Sequence, residues 1–174
     1  PTGQPLDLFV TVTDFTGHPE RLQLHSPPEV LETEHRLVLH FTDHGEVRET
    51  LAPAAELAFA ARATSSFPGA FPPFTVAELD GVLHDRAIDW PTREAFLYRM
   101  LPRQAAANTA EKAVLIDGSV LANAPFRPAI DALNERPARR QVDRRFVYID
   151  PAPGNKFRLS ADSDGVPGFF QTIL

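Results

Sequence analysis

A chain of 174 residues with 43% hydrophobic and 23% charged content suits one globular domain with a sizeable core, and its formal net charge of −6 argues against a nucleic-acid partner, which needs a basic footprint. The absence of Cys excludes disulfides, thiolate zinc sites and a cysteine nucleophile. The 17 Pro, roughly twice the ordinary share of residues, predict extensive irregular connections, and no apolar run is long enough to cross a membrane as a helix.

Asp7-Leu-Phe-Val-Thr-Val-Thr-Asp14 is rich in β-branched and aromatic residues and predicts a strand ending in a turn at Gly17. Arg21 to His25 and Arg36 to Thr42 predict shorter strands separated by a break at Pro27-Pro28. Pro53 to Ala63 is rich in Ala and Leu with Glu56 near its start, and predicts a helix running into Thr64-Ser65-Ser66. A second helix is predicted over Pro91 to Leu101 and a third over Pro128 to Asn134. Val114-Leu-Ile-Asp117 predicts a buried strand that delivers a carboxylate to a tight turn at Gly118. A further strand is predicted at 145–150, so that strand, helix and strand form a βαβ unit with parallel pairing. Ala152 to Gly168 reads as a linker.

Three blocks in order resemble the patatin-like phospholipase family, most closely its bacterial members. Ala60-Ala-Arg-Ala-Thr-Ser-Ser-Phe-Pro-Gly-Ala-Phe-Pro-Pro73 is similar to the family's segment of small residues followed by Pro and Phe-Pro-Pro beside the active-site cleft. Leu115-Ile-Asp-Gly-Ser-Val-Leu-Ala-Asn-Ala-Pro125 resembles its Asp-Gly-Gly or Asp-Gly-Ala motif, with Ser119 where Gly or Ala is usual. Phe146-Val-Tyr-Ile-Asp-Pro-Ala-Pro153 is similar to the strand and turn that follow. The resemblance implies an α/β fold, a partial three-layer α/β/α arrangement around a central, mostly parallel sheet. Residues 1–155 would be the C-terminal part of the hydrolase domain, and 156–174 the start of a following, truncated segment.

The same resemblance implies lipid ester hydrolysis by a Ser/Asp dyad, with Asp117 as the base. Gly118, Ser119 and Asn123 would form the loop that aims it. From spacing alone, Asp117 reads first as an acid capping the turn after a strand. Phe67, Phe71 and Phe74 would flank an apolar approach for an acyl chain, or pack beneath their own loop. The nucleophile motif Gly-x-Ser-x-Gly and a Gly-rich oxyanion loop are absent from the sequence. Ser65 and Ser66 lack the flanking Gly of such an elbow and read as a polar helix end. With Pro1 at its start and an apolar run at its end, the chain is expected to be an interior piece of a longer protein. That missing N-terminal part is then a partner, and these 174 residues alone are expected to be inactive. The rival reading is a non-catalytic interaction module. No cofactor is expected, and no metal: His35 and His40, beside Asp43 and His44, would point to opposite faces of a strand. The expected partners are a lipid or acyl ester and, peripherally, a membrane surface. The expected location is cytoplasmic or membrane-peripheral.

Overall fold

The computed structural model describes residues 5–45, 50–122, 125–136 and 140–149. Pro1–Pro137 and Ala138–Leu174 separate as two units, and every regular element described belongs to the first. The expected boundary between residues 155 and 156, and the segment after it, lie outside the described residues.

Strand β1 (Leu6–Gln23) and strand β2 (Glu29–Asp43) pair as one long antiparallel ribbon. β1 does not end at Gly17. The ladder runs from Leu6 opposite Asp43 to Thr13 opposite Arg36 and resumes at His18 opposite Glu34, so Asp14, Phe15, Thr16 and Gly17 bulge against His35 alone. Gly17, at φ +71°, takes the left-handed conformation of the bulge, where a Cβ would strike Thr33 and the His35 ring. His35 Nδ1–H donates to the Asp14 carbonyl at 2.8 Å, and the buried Asp14 carboxylate accepts from Thr16 Oγ1 (2.7 Å) and Gln104 Nε2 (2.7 Å). The reversal falls at Leu24 to Pro28, on the expected proline break.

Helix α1 (Ala54–Thr64) lies close to its expected span. It is followed by strand β3 (Phe74–Thr75) and helix α2 (Val76–Asp85), neither of which the sequence reading anticipated. Thr75 accepts from the Glu78 amide as N-cap of α2, and Val76, Leu79 and Leu83 form its buried stripe. The Thr-x-x-Glu start and the i, i+3, i+7 apolar spacing were the available signals. Helix α3 (Arg93–Met100) stops at Leu101 and a new helix, α4 (Pro102–Ala106), starts on Pro102, which cannot continue the first. Strand β4 (Val114–Asp117) and helix α5 (Phe126–Asp131), which runs on as a 3-10 turn at Ala132–Glu135, complete the set.

The sheet order is β2-β1-β4-β3, and every pairing is antiparallel. The mostly parallel sheet expected above is therefore corrected. A run of apolar residues such as Val114-Leu-Ile reports burial, not the direction of the neighbours. Residues 145–149, expected to begin the parallel partner, form no strand and expose Val147 and Ile149 by about four-fifths.

Residues opposite one another in an antiparallel ladder share a face. Val12, Leu37, Leu39, Phe41, Leu115 and Phe74 thus project together, and bury against Phe59, Ala60 and Ala63 of α1 and Phe96, Leu97 and Met100 of α3. Phe59 is the pivot of this core, edge-on to both Phe74 and Phe96 at centroid distances of 5.0 Å. The alanines let α1 approach closely. Its one buried acid, Glu56, is held by Thr92 Oγ1 (2.6 Å) and Arg99 Nη2 (2.9 Å). Arg93 of α3 ties Asp80 of α2 to Glu111 in the turn before β4, with contacts of 2.8 Å to each.

Glu34 braces the bulge. Its carboxylate accepts from the Arg36 guanidinium and from the amides of His35 and Arg36, and the guanidinium bonds in particular hold its pKa at about 2, below the ordinary 4.5. A depressed carboxylate pKa stabilises the fold above the unfolded value, and the contribution is lost as pH falls through the folded one. The stability difference between wild type and Glu34→Gln is therefore expected to be full above pH 4.5 and to shrink toward pH 2. Urea unfolding at a series of pH values measures it; a difference independent of pH across that window would refute this role.

Candidate active site

Asp117 is the last residue of β4, an interior strand flanked by β1 and β3. It stands opposite Val12, on the helix-covered face, and is half-buried. Its Oδ1 accepts the Ser119 amide at 2.8 Å, capping the 3-10 turn Gly118–Val120, while among the described residues no donor reaches Oδ2. β3 pairs only with Leu115 and Val114, and beyond its reach the Asp117 amide donates to the Ser66 carbonyl at 3.1 Å. The end of α1 and the end of β4 are thereby joined.

Gly118 is required by proximity rather than by backbone conformation, since it does not take a positive φ. A Cβ there would collide with the carbonyl and hydroxyl of Thr11 on β1. Ser119 contributes its amide and leaves its side chain exposed, so the departure from Gly or Ala at this position leaves the turn intact. Asn123 lies outside the described residues.

The three phenylalanines separate. Phe74 is 1% exposed and belongs to the core, so its ring lines no approach. Phe67 is half-buried, and Phe71 is 59% exposed on a turn closed by the Ala70 and Phe71 amides onto the Phe67 carbonyl, with Gly69 at φ +89°. Ser66 is fully buried and Ser65 hydrogen-bonds back to the Arg62 carbonyl, both as parts of a helix end. A concavity of about 480 Å³ bordered by His40, Glu56, Thr92 and Arg99 is lined by residues other than Asp117.

Arg62 is the site residue that sequence reasoning passed over. Its guanidinium donates to Ser66 Oγ, to the Pro72 carbonyl (3.3 Å) and to Glu78 (2.9 Å), and lies over the Phe74 ring at 5.6 Å. Only its place inside the small-residue block could have drawn attention to it.

The patatin-like phospholipase family matches residues 4–130, which hold the Phe-Pro-Pro loop, Asp117 and the turn behind it. The chain belongs to this family. The third block of the resemblance, at 146–153, lies beyond the matched residues. An uncharacterized membrane protein of Mycobacterium tuberculosis, Rv3479, is 30% identical over 148 residues, covering 84% of this chain and 13% of that protein. The patatin-like chain thus spans a small part of that relative's length. No solved structure matches it. Among the described residues no helix is long and apolar enough to cross a membrane.

Because the space beside Thr11 is closed, Gly118→Ala is expected to destabilise the fold by about 1–3 kcal/mol. Ser119→Ala, which keeps the capping amide, should stay within about 0.5 kcal/mol of wild type. Paired urea unfolding curves compare them; equal, negligible effects would show that the turn moves freely away from β1.

Proposed function

We propose that this chain is the C-terminal, acid-bearing portion of the catalytic domain of a bacterial patatin-like serine acyl hydrolase that cleaves lipid esters. The nucleophilic serine and the oxyanion donors belong, on this reading, to another part of the same polypeptide. Two observations are consistent with that division: the sequence has no Gly-x-Ser-x-Gly, and the chain corresponds to 13% of its mycobacterial relative. Residues 156–174 would open the segment that follows the domain.

The observation that carries the reading is the state of the Asp117 carboxylate. One oxygen is fixed by the Ser119 amide, which orients the group, and the other is left to accept a proton. A serine hydroxyl brought against Oδ2 would transfer its proton there as its oxygen attacks the ester carbonyl. The resulting carboxylic acid would return the proton to the departing alcohol. Water would then release the acyl group by the same path in reverse, so that a histidine is unnecessary. Gly118 and Ser119, with Asn123 from the resemblance, serve the loop that holds the acid. Phe67 and Phe71 offer apolar surface for an acyl chain and for peripheral contact with a lipid surface.

In the full-length protein, Asp117→Asn should lower turnover of a chromogenic acyl ester by roughly 10²–10⁴-fold while leaving the thermal unfolding midpoint near wild type. Wild-type-like hydrolysis by that variant would remove Asp117 from the mechanism, and a wild-type protein without esterase activity would favour a non-catalytic interaction module.

Phe71→Ala in the same protein is expected to weaken catalysis on long-chain esters and spare both short-chain activity and thermal stability, because an exposed ring contributes contact to substrate and little to packing. Equal loss on both substrates with a lowered melting temperature would instead assign the ring to packing.

A further inference from the structure

The α1 end and the β4 end meet through one peptide carbonyl, that of Ser66, which accepts the Asp117 amide at 3.1 Å. The backbone around it is held by the helix end, where the Ser66 amide donates to the Ala63 carbonyl and the Phe67 amide to the Ser65 carbonyl, and the side chain of Ser66 adds a second hold. Ser66 is fully buried, and its hydroxyl is engaged twice by one neighbour: it donates to the Arg62 carbonyl at 2.8 Å and accepts from the Arg62 guanidinium. A hydroxyl gripped in both directions fixes the Ser66 side chain against the end of α1, and so braces the residue whose carbonyl meets β4. The remaining donors of Arg62 face the other way, onto the Pro72 carbonyl at 3.3 Å and onto both Glu78 oxygens at 2.9 and 3.4 Å. The guanidinium therefore stands between the Phe-Pro-Pro loop and the backbone of the acid.

The Arg62–Glu78 pair is solvent-facing, with side chains 29% and 40% exposed, and such pairs contribute little to stability. An arginine is nonetheless suited to this place by its flat fork of donors, which can serve a hydroxyl, a carbonyl and a carboxylate at fixed mutual angles; a lysine could not reproduce that.

We propose that Arg62 is a positioning residue for the hydrolytic reaction, setting the aim of Asp117 through Ser66 and tying it to the loop Phe67–Pro73. The inference rests on the reading of Asp117 as the base. Arg62 itself touches neither the reacting carboxylate nor, on this geometry, the substrate ester. Its effect passes through two hydrogen bonds to a strand end whose side chain must present one oxygen in a fixed direction. Small displacements of such a group are costly, on the order of 10²-fold in rate for about 1 Å.

The test uses the full-length protein with a short-chain chromogenic acyl ester, and reads kcat, KM and amide hydrogen exchange at Asp117, Ser119 and Leu115. Arg62→Gln is expected to lower kcat by roughly 10–100-fold with KM within about twofold. Exchange at the Asp117 amide should accelerate at least about tenfold while Leu115 in the strand interior stays protected. Ser66→Ala should reproduce both effects, and the double variant should add nothing further, since the two residues form one link. Ser65→Ala, which removes an exposed hydroxyl and its bond to the Arg62 carbonyl but leaves the contact of the guanidinium with Ser66 intact, serves as the control and should match wild type. A kcat within twofold of wild type in Arg62→Gln, unchanged Asp117 exchange, or additive losses in the double variant would each overturn the proposal. Should Arg62→Gln not fold, Ser66→Ala alone decides by the same two readings. The exchange readout does not depend on Asp117 being the base: an active Asp117→Asn protein would defeat that reading, while unchanged exchange in Arg62→Gln would defeat the link itself.

Discussion

Between the backbone of Gly118 and the carbonyl and hydroxyl of Thr11 there is no space for a side chain, and the arrangement of the candidate site follows from that contact. The chain leaving β4 passes close beside Thr11 of β1, where the strand ends at Asp117 and turns at once into the 3-10 turn. That turn offers the Ser119 amide to Oδ1, which fixes the carboxylate. Opposite the turn, β3 is too short to pair with Asp117, and the end of α1 takes its place through the Ser66 carbonyl. A missing methyl group at one position thus permits this strand end, and the strand end sets where the acid stands.

Local patterns in the sequence carried the elements further than they carried the topology. The β-branched run at 7–14, the alanine-rich stretch after Pro53 and the apolar run into Asp117 each became the element they suggested, because in each case local propensity and burial agree. Direction of pairing is a long-range property with no local signature. Val114-Leu-Ile would read the same beside parallel or antiparallel neighbours, and the parallel assignment leaned on a strand at 145–150 that the described residues do not form. Gly17 misled for a related reason: a glycine at positive φ serves a hairpin turn or a bulge, and the difference depends on His35 filling the concavity from the partner strand. α2 was missed although its capping box was present, because the Pro-rich segment before it masked the start.

At the site, the residues visible in sequence were those with a motif of their own. Asp117 and Gly118 stand out as a strand, an acid and a tight turn. Phe67, Phe71 and Phe74 are chemically alike, and only the fold sorts them: Phe74 falls in register opposite Leu115 and is drawn into the core, while Phe71 sits on the outside of its turn. Arg62 and Ser66 were illegible as a pair, since an arginine four residues before a serine on a helix has many uses. Their meaning comes from the strand end that the Ser66 carbonyl meets.

Acids elsewhere in the fold show why Asp117 differs from a structural carboxylate. Asp14 lies on the same face of the neighbouring strand, opposite Leu115, yet Thr16 holds one of its oxygens and Gln104 the other. Glu56 is divided between Thr92 and Arg99. Asp7 binds His40 and Thr42 through one oxygen and Arg136 through the other; burial pushes its carboxyl pKa up, and those bonds outweigh it to hold the group below the ordinary carboxylate range. Each of these carboxylates has both ends engaged by donors, as suits an acid whose part is to hold neighbouring groups in place. A group that must take up a proton needs one end fixed for direction and one end open. Asp117 meets both conditions among the described residues, and so does Asp43, whose Oδ1 accepts the Gly45 amide at 2.7 Å; what sets Asp117 apart from Asp43 is its place at the end of an interior strand, where Asp43 ends the edge strand β2.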